Sequence, residues 1–138
     1  MTPHRLEALH AAAFASSRPW RASEFSDLLV SPHVTLHADL HGFALTRTIA
    51  GESELLTLAV DPAHHRQGIA RRLLSSWLHA SPLPLDRAFL EVAADNLAAR
   101  ALYRTSGFDV IATRRAYYAR PGNEPVDALV MQRVFSGG

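Results

Sequence analysis

The sequence contains no cysteine, which removes disulfides, thiolate metal sites and a thiol nucleophile at once. It also lacks any run of like charge. Fourteen basic side chains against thirteen acidic ones leave a formal net charge of +1, so nothing marks a surface for nucleic acid or membrane lipid. An anionic ligand must therefore be held by a local site. No apolar stretch approaches the length that crosses a bilayer. Leu6 to Ala15 is apolar enough to pass for a secretion signal, but Glu7 and His10 interrupt it. Leu6, Leu9, Ala13 and Phe14 recur there at helical spacing, which predicts an amphipathic helix and a protein of the cytoplasm. Absent too are G-x-S-x-G, a Gly-Lys-Ser or Gly-Lys-Thr loop and G-x-G-x-x-G, so serine hydrolysis, nucleotide hydrolysis and dinucleotide binding lack support. His64 and His65 are adjacent and diverge on any regular backbone, with no carboxylate to complete a ligand set, so no metal is expected.

What is present suits one compact core. With 48% hydrophobic residues in 138, residues 1–138 are read as a single domain. The first helix ends near Ser16 and Ser17, and Ser23 is a candidate cap for a second short helix carrying Phe25, Leu28 and Leu29. Extended segments follow at about Val34 to Ala38 and Gly42 to Ile49. The unbroken apolar run Leu55 to Val60 predicts a strand inside a sheet and buried on both faces. Ile69, Leu73, Leu74, Trp77 and Leu78 form one helical stripe, closed by Pro82 and Pro84. Phe89 to Ala93 reads as a strand. A helix opening at Asp95 or Asn96 carries an apolar stripe of Ala98, Ala101 and Leu102 and stops at Gly107. Phe108 to Tyr118 and Val126 to Phe135 form a hairpin across Arg120-Pro121-Gly122-Asn123. The order of elements gives a mixed α/β layer fold.

Two places carry chemistry. At the first, the buried strand delivers the chain to His65-Arg66-Gln67-Gly68-Ile69-Ala70, which opens directly into a helix. The first amides of a helix lack internal partners and face an anion favourably, and Gly68 and Ala70 allow close approach, with Arg66, Arg71 and Arg72 adding positive charge. The same residues also suit a plain turn with solvated arginines. At the second, Glu91 interrupts the apolar strand Phe89-Leu90-Glu91-Val92-Ala93. A carboxylate there either meets solvent or lines a cleft. Asn96, Ala99 and Tyr103 follow at i, i+3 and i+7, one helix face that sets a phenol about 10 Å along the axis from an amide. Asn96 also fits an ordinary helix cap, and Tyr103 an ordinary packed tyrosine.

Leu58-Ala59-Val60-Asp61-Pro62 followed by Arg66-Gln67-Gly68-Ile69-Ala70-Arg71 resembles the acetyl-CoA signature of the GNAT superfamily of N-acetyltransferases. That signature is Gln or Arg, two variable residues, Gly, one variable residue, then Gly or Ala. Gly68 and Ala70 match it, and His65 stands where Gln or Arg is usual. Leu90-Glu91-Val92, Asp95-Asn96, Ala98-Ala99, Ala101-Leu102-Tyr103 and Gly107-Phe108 are similar to the RimI-type branch, the ribosomal-protein-alanine N-acetyltransferases. Arg114-Arg115-Ala116-Tyr117-Tyr118 and Asp127 to Met131 extend the likeness, and Phe14 and Pro19-Trp20 match it loosely. The resemblance implies the GNAT fold: a central mixed, mostly antiparallel sheet flanked by helices, with acetyl-CoA in the splay between two central strands. It implies that the backbone of Arg66, Gln67, Gly68, Ile69, Ala70 and Arg71 binds the CoA pyrophosphate. The pantetheine arm would pair with Leu58, Ala59 and Val60, with Asn96 hydrogen-bonded to that arm. Glu91 would be the general base and Tyr103 the general acid.

With no cysteine available, the reaction implied is direct attack of an amine on the thioester in a ternary complex. At neutral pH an α-amine offers roughly 400 times more free base than a lysine, from pKa values near 7.8 and 10.4. A single carboxylate therefore suffices for a protein N-terminus, and a ribosomal protein beginning with Ala is the acceptor that the resemblance implies. Tyr117 and Tyr118 are candidates for gripping the acceptor peptide, or else for packing the sheet. The loop from Ala15 to Ala22 is where acceptor choice is expected to be tuned. Transfer to a lysine or small amine, or acyl-CoA binding without catalysis, are the competing expectations.

Overall fold

A computed structural model describes residues 1–14, 20–82 and 84–135. Its helices are α1 (Pro3–Ala13), α2 (Ala22–Leu29), α3 (Ile69–Ala80) and α4 (Leu97–Thr105). Its strands are β1 (Val34–Asp39), β2 (Gly42–Ile49), β3 (Glu52–Val60), β4 (Arg87–Ala93), β5 (Asp109–Arg120) and β6 (Asn123–Val134). The strands form one six-stranded sheet in the order β1-β2-β3-β4-β6-β5. Every neighbouring pair is antiparallel except β3 with β4.

Helices cover both faces of the sheet. Leu6, Leu9 and Phe25 of α1 and α2 cluster with Phe43, Leu45 and Ala59. Ile69, Leu73, Leu74, Trp77 and Leu78 of α3 cluster with Ala44, Leu55, Leu90, Tyr103 and Phe108. Phe43 and Leu45 enter one cluster and Ala44 the other, the alternation of a strand covered on both sides. Side chains of this size each contribute roughly 1.5–3 kcal/mol when fully buried, so the two clusters hold the layers together.

α3 is also fastened by polar groups. Trp77 Nε1 donates to Ser53 Oγ at 2.8 Å, and Ser53 Oγ meets Thr48 Oγ1 at 2.7 Å, all buried. α4 ends in a Schellman arrangement: the Gly107 amide donates to Arg104 O and the Phe108 amide to Tyr103 O, with Gly107 at φ +95°. This is the turn that only glycine makes without strain.

Several sequence expectations change in the structure. The strand buried on both faces is β2, whose residues Gly42 to Thr46 are all buried; β3 alternates buried with half-buried positions. Leu56, Leu58 and Val60 supply β3's open positions because they line a cavity. Ser23 does not cap α2: Arg21 holds that position, and its amide donates to Glu24 Oε1 at 3.2 Å. In α4 the inward face is Ala99, Leu102 and Tyr103, whereas Ala98 and Ala101 are exposed. α1 ends at Ala13. Ser16, Ser17, Arg18 and Pro19, and most of the loop assigned to acceptor choice, lie outside the described residues.

Candidate active site

The site begins with a failure of pairing. β3 and β4 run parallel and are joined only where Glu52, Ser53 and Glu54 face Arg87, Ala88 and Phe89. Gly51 fastens that closed end, its carbonyl accepting from the amides of Asp86 at 2.7 Å and Arg87 at 3.1 Å. At φ +82° a side chain on Gly51 would run into Asp86. Beyond Phe89 the strands diverge around a cavity of about 1010 Å³.

A β-bulge sharpens the divergence. Leu45 pairs with Thr57 and Thr46 with Leu55, leaving Leu56 as the extra residue on β3. A bulge bends its strand and releases main-chain groups from the ladder. Leu55 to Leu58 and Val60 line one wall of the cavity, and Glu91, Val92 and Ala93 line the facing wall.

At the cavity mouth the chain makes a 3-10 turn over Pro62–His64 and then enters α3 through Gly68. Asn96 Oδ1 caps the start of α4 by accepting from the Ala99 amide at 3.2 Å, and Thr2 caps α1 in the same way. Gly68 has no side chain to offer, so the first amides of α3 receive no such cap. They form an open donor set at the positive end of a twelve-residue helix. Gly68 at φ +76° and Arg66 at φ +66° both adopt left-handed backbone. The arginine pays about 1 kcal/mol for it, strain of the kind found at ligand sites. Arg66, Gly68, Ile69, Ala70 and Arg71 all border the cavity.

Glu91, Asn96 and Tyr103 line this same cavity. The Glu91 side chain is 25% exposed, and Arg114 Nε lies 3.1 Å from its Oε1. Tyr103 is buried, and burial pushes its phenol well above the ordinary tyrosine range, with Tyr118 adding to the shift. Tyr118 is raised as well, first by burial and then by the Glu91 charge. Both phenols therefore stay protonated through neutral pH and present O–H donors.

Of the remaining expected residues, Leu58 and Val60 face the cavity, while Ala59 is turned into the α1–α2 cluster. Gln67 stays outside, its carbonyl accepting from Arg72 Nη1 at 2.9 Å. Tyr118 reaches the cavity and Tyr117, 52% exposed, does not. The sequence reading missed His10, His64, Asp95 and Arg120 as cavity residues. His10 accepts at Nδ1 from the Trp20 amide at 3.3 Å and stacks on the Trp20 ring at 5.1 Å. Its signal was available: His10 lies four residues from both Leu6 and Phe14, on the inward helix face. Arg120 grips Asp95 through Nε and Nη2, both at 3.1 Å. That hydrogen bond leads in holding the Asp95 carboxyl below its usual range. Among the described residues no group of three or more His, Asp or Glu is placed to hold a metal ion, and no helix is long and apolar enough to cross a membrane.

A split sheet, an uncapped helix start at its mouth, and a carboxylate with two protonated phenols inside are parts that suit an enzyme taking an acyl group from a long phosphorylated carrier. The chain matches the acetyltransferase (GNAT) family over residues 6–108 and belongs to that family. It is an acetyl-CoA-dependent N-acetyltransferase. It is 38% identical over 138 residues to the N-alpha-acetyltransferase RimI of Mycobacterium tuberculosis, covering 94% of this chain and 84% of that protein. The crystal structure of the ribosomal-protein-S18-alanine N-acetyltransferase from Escherichia coli superposes with a TM-score of 0.84 at 29% identity, covering 96% of this chain and 86% of that one. Arabidopsis thaliana NAA60 in complex with acetyl-CoA shares the fold, with a TM-score of 0.80 at 20% identity over 98% of this chain and 94% of that one.

Proposed function

We propose that the enzyme acetylates the N-terminal α-amine of a protein in the cytoplasm, with a ribosomal protein beginning with Ala as acceptor. The observation that carries this reading is the placement of Glu91 and Tyr103 in one cavity, between the split strands and the uncapped start of α3. The names of the similar proteins, an N-alpha-acetyltransferase and a ribosomal-protein-alanine acetyltransferase, support the acceptor.

In this reading the amides of Ile69, Ala70 and Arg71, with the backbone of Arg66, Gln67 and Gly68, hold the pyrophosphate. The cationic side chains of Arg66 and Arg71 flank it. The pantetheine arm lies along the edge of β3 at Leu58, Ala59 and Val60 and supplies the pairing that β4 does not. Asn96, its Oδ1 engaged in the helix cap, turns its Nδ2 donors toward the arm. A main-chain N–H released at the Leu56 bulge polarises the thioester carbonyl.

The acceptor amine attacks that carbonyl, an N–C bond forms, and the C–S bond breaks. Glu91 takes the amine proton, directly or through a water. Tyr103 meets the sulfur as an O–H donor and gives its proton to the leaving thiolate. A single carboxylate suffices because an α-amine is already partly neutral at pH 7. Tyr118, with Phe14 and Trp20 across the cavity, grips the acceptor, and Tyr117 stands at the outer rim.

Short peptides with free or blocked N-termini, some with an internal lysine, incubated with acetyl-CoA and read by mass spectrometry, test the proposal. Acetylation of free N-termini led by Ala is the expected result. Transfer to lysine in blocked peptides, or CoA binding without any transfer, would overturn it. The chain itself contains no lysine, so every acetyl-lysine detected belongs to a peptide.

A further inference from the structure

The ion pair on Glu91 has no part in the mechanism just described. Glu91 lies on β4 opposite Val130 of β6, while Arg114 lies on β5 opposite Ala128 of β6. The guanidinium therefore reaches diagonally across β6 to bring Nε within 3.1 Å of Oε1. Its other face lies over the Tyr117 ring, 5.3 Å from the centroid. Tyr117 in turn packs edge-on against Tyr118, with ring centroids 5.1 Å apart, and Tyr118 lines the cavity.

Immediately after Arg114 the strand is irregular. Arg114 pairs with Ala128 but Tyr118 with Val126, so β5 spends two extra residues there. Ala116 sits at φ +52° with its amide donating to Asp127 Oδ1 at 2.8 Å. Bulges of this kind re-aim side chains beside active sites. The Arg114 side chain is 56% exposed, and ion pairs so open to water add little to stability. Stability therefore gives little reason for the reach across β6.

We infer that Arg114 is a positioning residue for Glu91: braced on Tyr117, it fixes the carboxylate through Oε1 and leaves Oε2 to take the proton of the attacking amine. The inference rests on Glu91 being the base. Arg114 touches no reacting atom in this arrangement, and its effect passes entirely through the carboxylate.

The experiment compares Arg114→Met and Arg114→Lys, each alone and combined with Glu91→Gln, in steady-state acetylation of an Ala-led peptide. Arg114→Met is expected to lower kcat about tenfold, the scale of a slightly misplaced catalytic group. The KM values for acetyl-CoA and peptide should hold. Arg114→Lys keeps a cation within reach and should recover most of the rate. In the Glu91→Gln background Arg114→Met should cost nothing further, because residues acting as a unit are not additive. Four results overturn the inference: full kcat in Arg114→Met beside a slow Glu91→Gln, a further loss in the double variant, no recovery with lysine, or a rise confined to peptide KM, which would make Arg114 an acceptor contact. Wild-type turnover in Glu91→Gln would remove the base itself and the inference with it.

Discussion

The two sides of the cavity are built by different means. On the side that the proposed reading gives to acetyl-CoA, β3 and the start of α3 present mainly backbone: a strand edge without a partner beyond Glu54, a bulge at Leu56, and helix amides left uncapped by Gly68. The wall that the proposed reading gives to the acceptor is made of side chains from distant parts of the chain. His10 and Phe14 come from α1 and its end, Trp20 from the connection to α2, and Tyr118 and Arg120 from β5. A cofactor of fixed structure can be met by main-chain geometry, which few substitutions alter. On the proposed reading acceptor choice rests on rings and charges, which a single substitution replaces.

That contrast can be broken most severely at Gly68. Gly68→Val places a β-branched residue at φ +76°, a conformation it strongly resists. Strain of about 1–3 kcal/mol, with bulk added at the mouth, should raise the acetyl-CoA KM roughly ten- to hundredfold. Calorimetric titration with CoA should show the same loss. An unchanged affinity would mean that the amides of α3 do not hold the carrier.

Trp20→Ala tests the opposite side. Trp20 stacks on His10 and tilts against Phe25 with centroids 5.5 Å apart. Losing this ring should raise the peptide KM about tenfold, as for an aromatic anchor of a binding site, with the acetyl-CoA KM unmoved. If the two constants rise together, the sides are not separable. A smaller effect is expected from Arg66→Ala. Its side chain is exposed at the mouth, and a solvated cation near a phosphate should change the acetyl-CoA KM only about two- to fivefold. A loss matching that of Gly68→Val would show that side-chain charge, and not backbone, dominates there.

The smallest effect concerns folding and pH. His37 is buried on β1, with Nδ1 2.9 Å from Ser76 Oγ, and burial lowers its pKa from the usual 6.5. The unfolded chain therefore binds a proton that the folded chain refuses. This contribution to stability is complete above about pH 6.5 and is lost as pH falls toward the lowered folded value. Urea melts from pH 7 to 5 should show the decline, and His37→Gln should flatten it.

How much of this was legible in the sequence follows the same divide. Local patterns gave the α3 stripe through Ile69, Leu73 and Trp77, the stop at Gly107 and the final hairpin, because each depends on neighbours in the chain; the loop before α3 suited a plain turn as well and took its phosphate reading from the resemblance. Spacing put Asn96 and Tyr103 on one helix face and left Glu91 open between solvent and a cleft; only the family resemblance joined the three as a set. The Arg120–Asp95 grip and the Arg114–Glu91 pair were not legible, since they join residues 25 and 23 positions apart, whose meeting depends on the sheet order. Tyr117 and Tyr118 looked equivalent, but Tyr118 lines the cavity while Tyr117 is exposed. β3 looked fully buried because hydrophobicity alone does not tell a core position from the wall of an apolar cleft.

Three parallel residue pairs are all that join β3 to β4, and the sheet is left one rung short along the rest of their length. On the proposed reading the pantetheine arm fills that gap, a temporary seventh strand supplied by a metabolite. Resistance to unfolding is then linked to the cell's acetyl-CoA supply, because whatever binds only the folded form stabilises it by mass action.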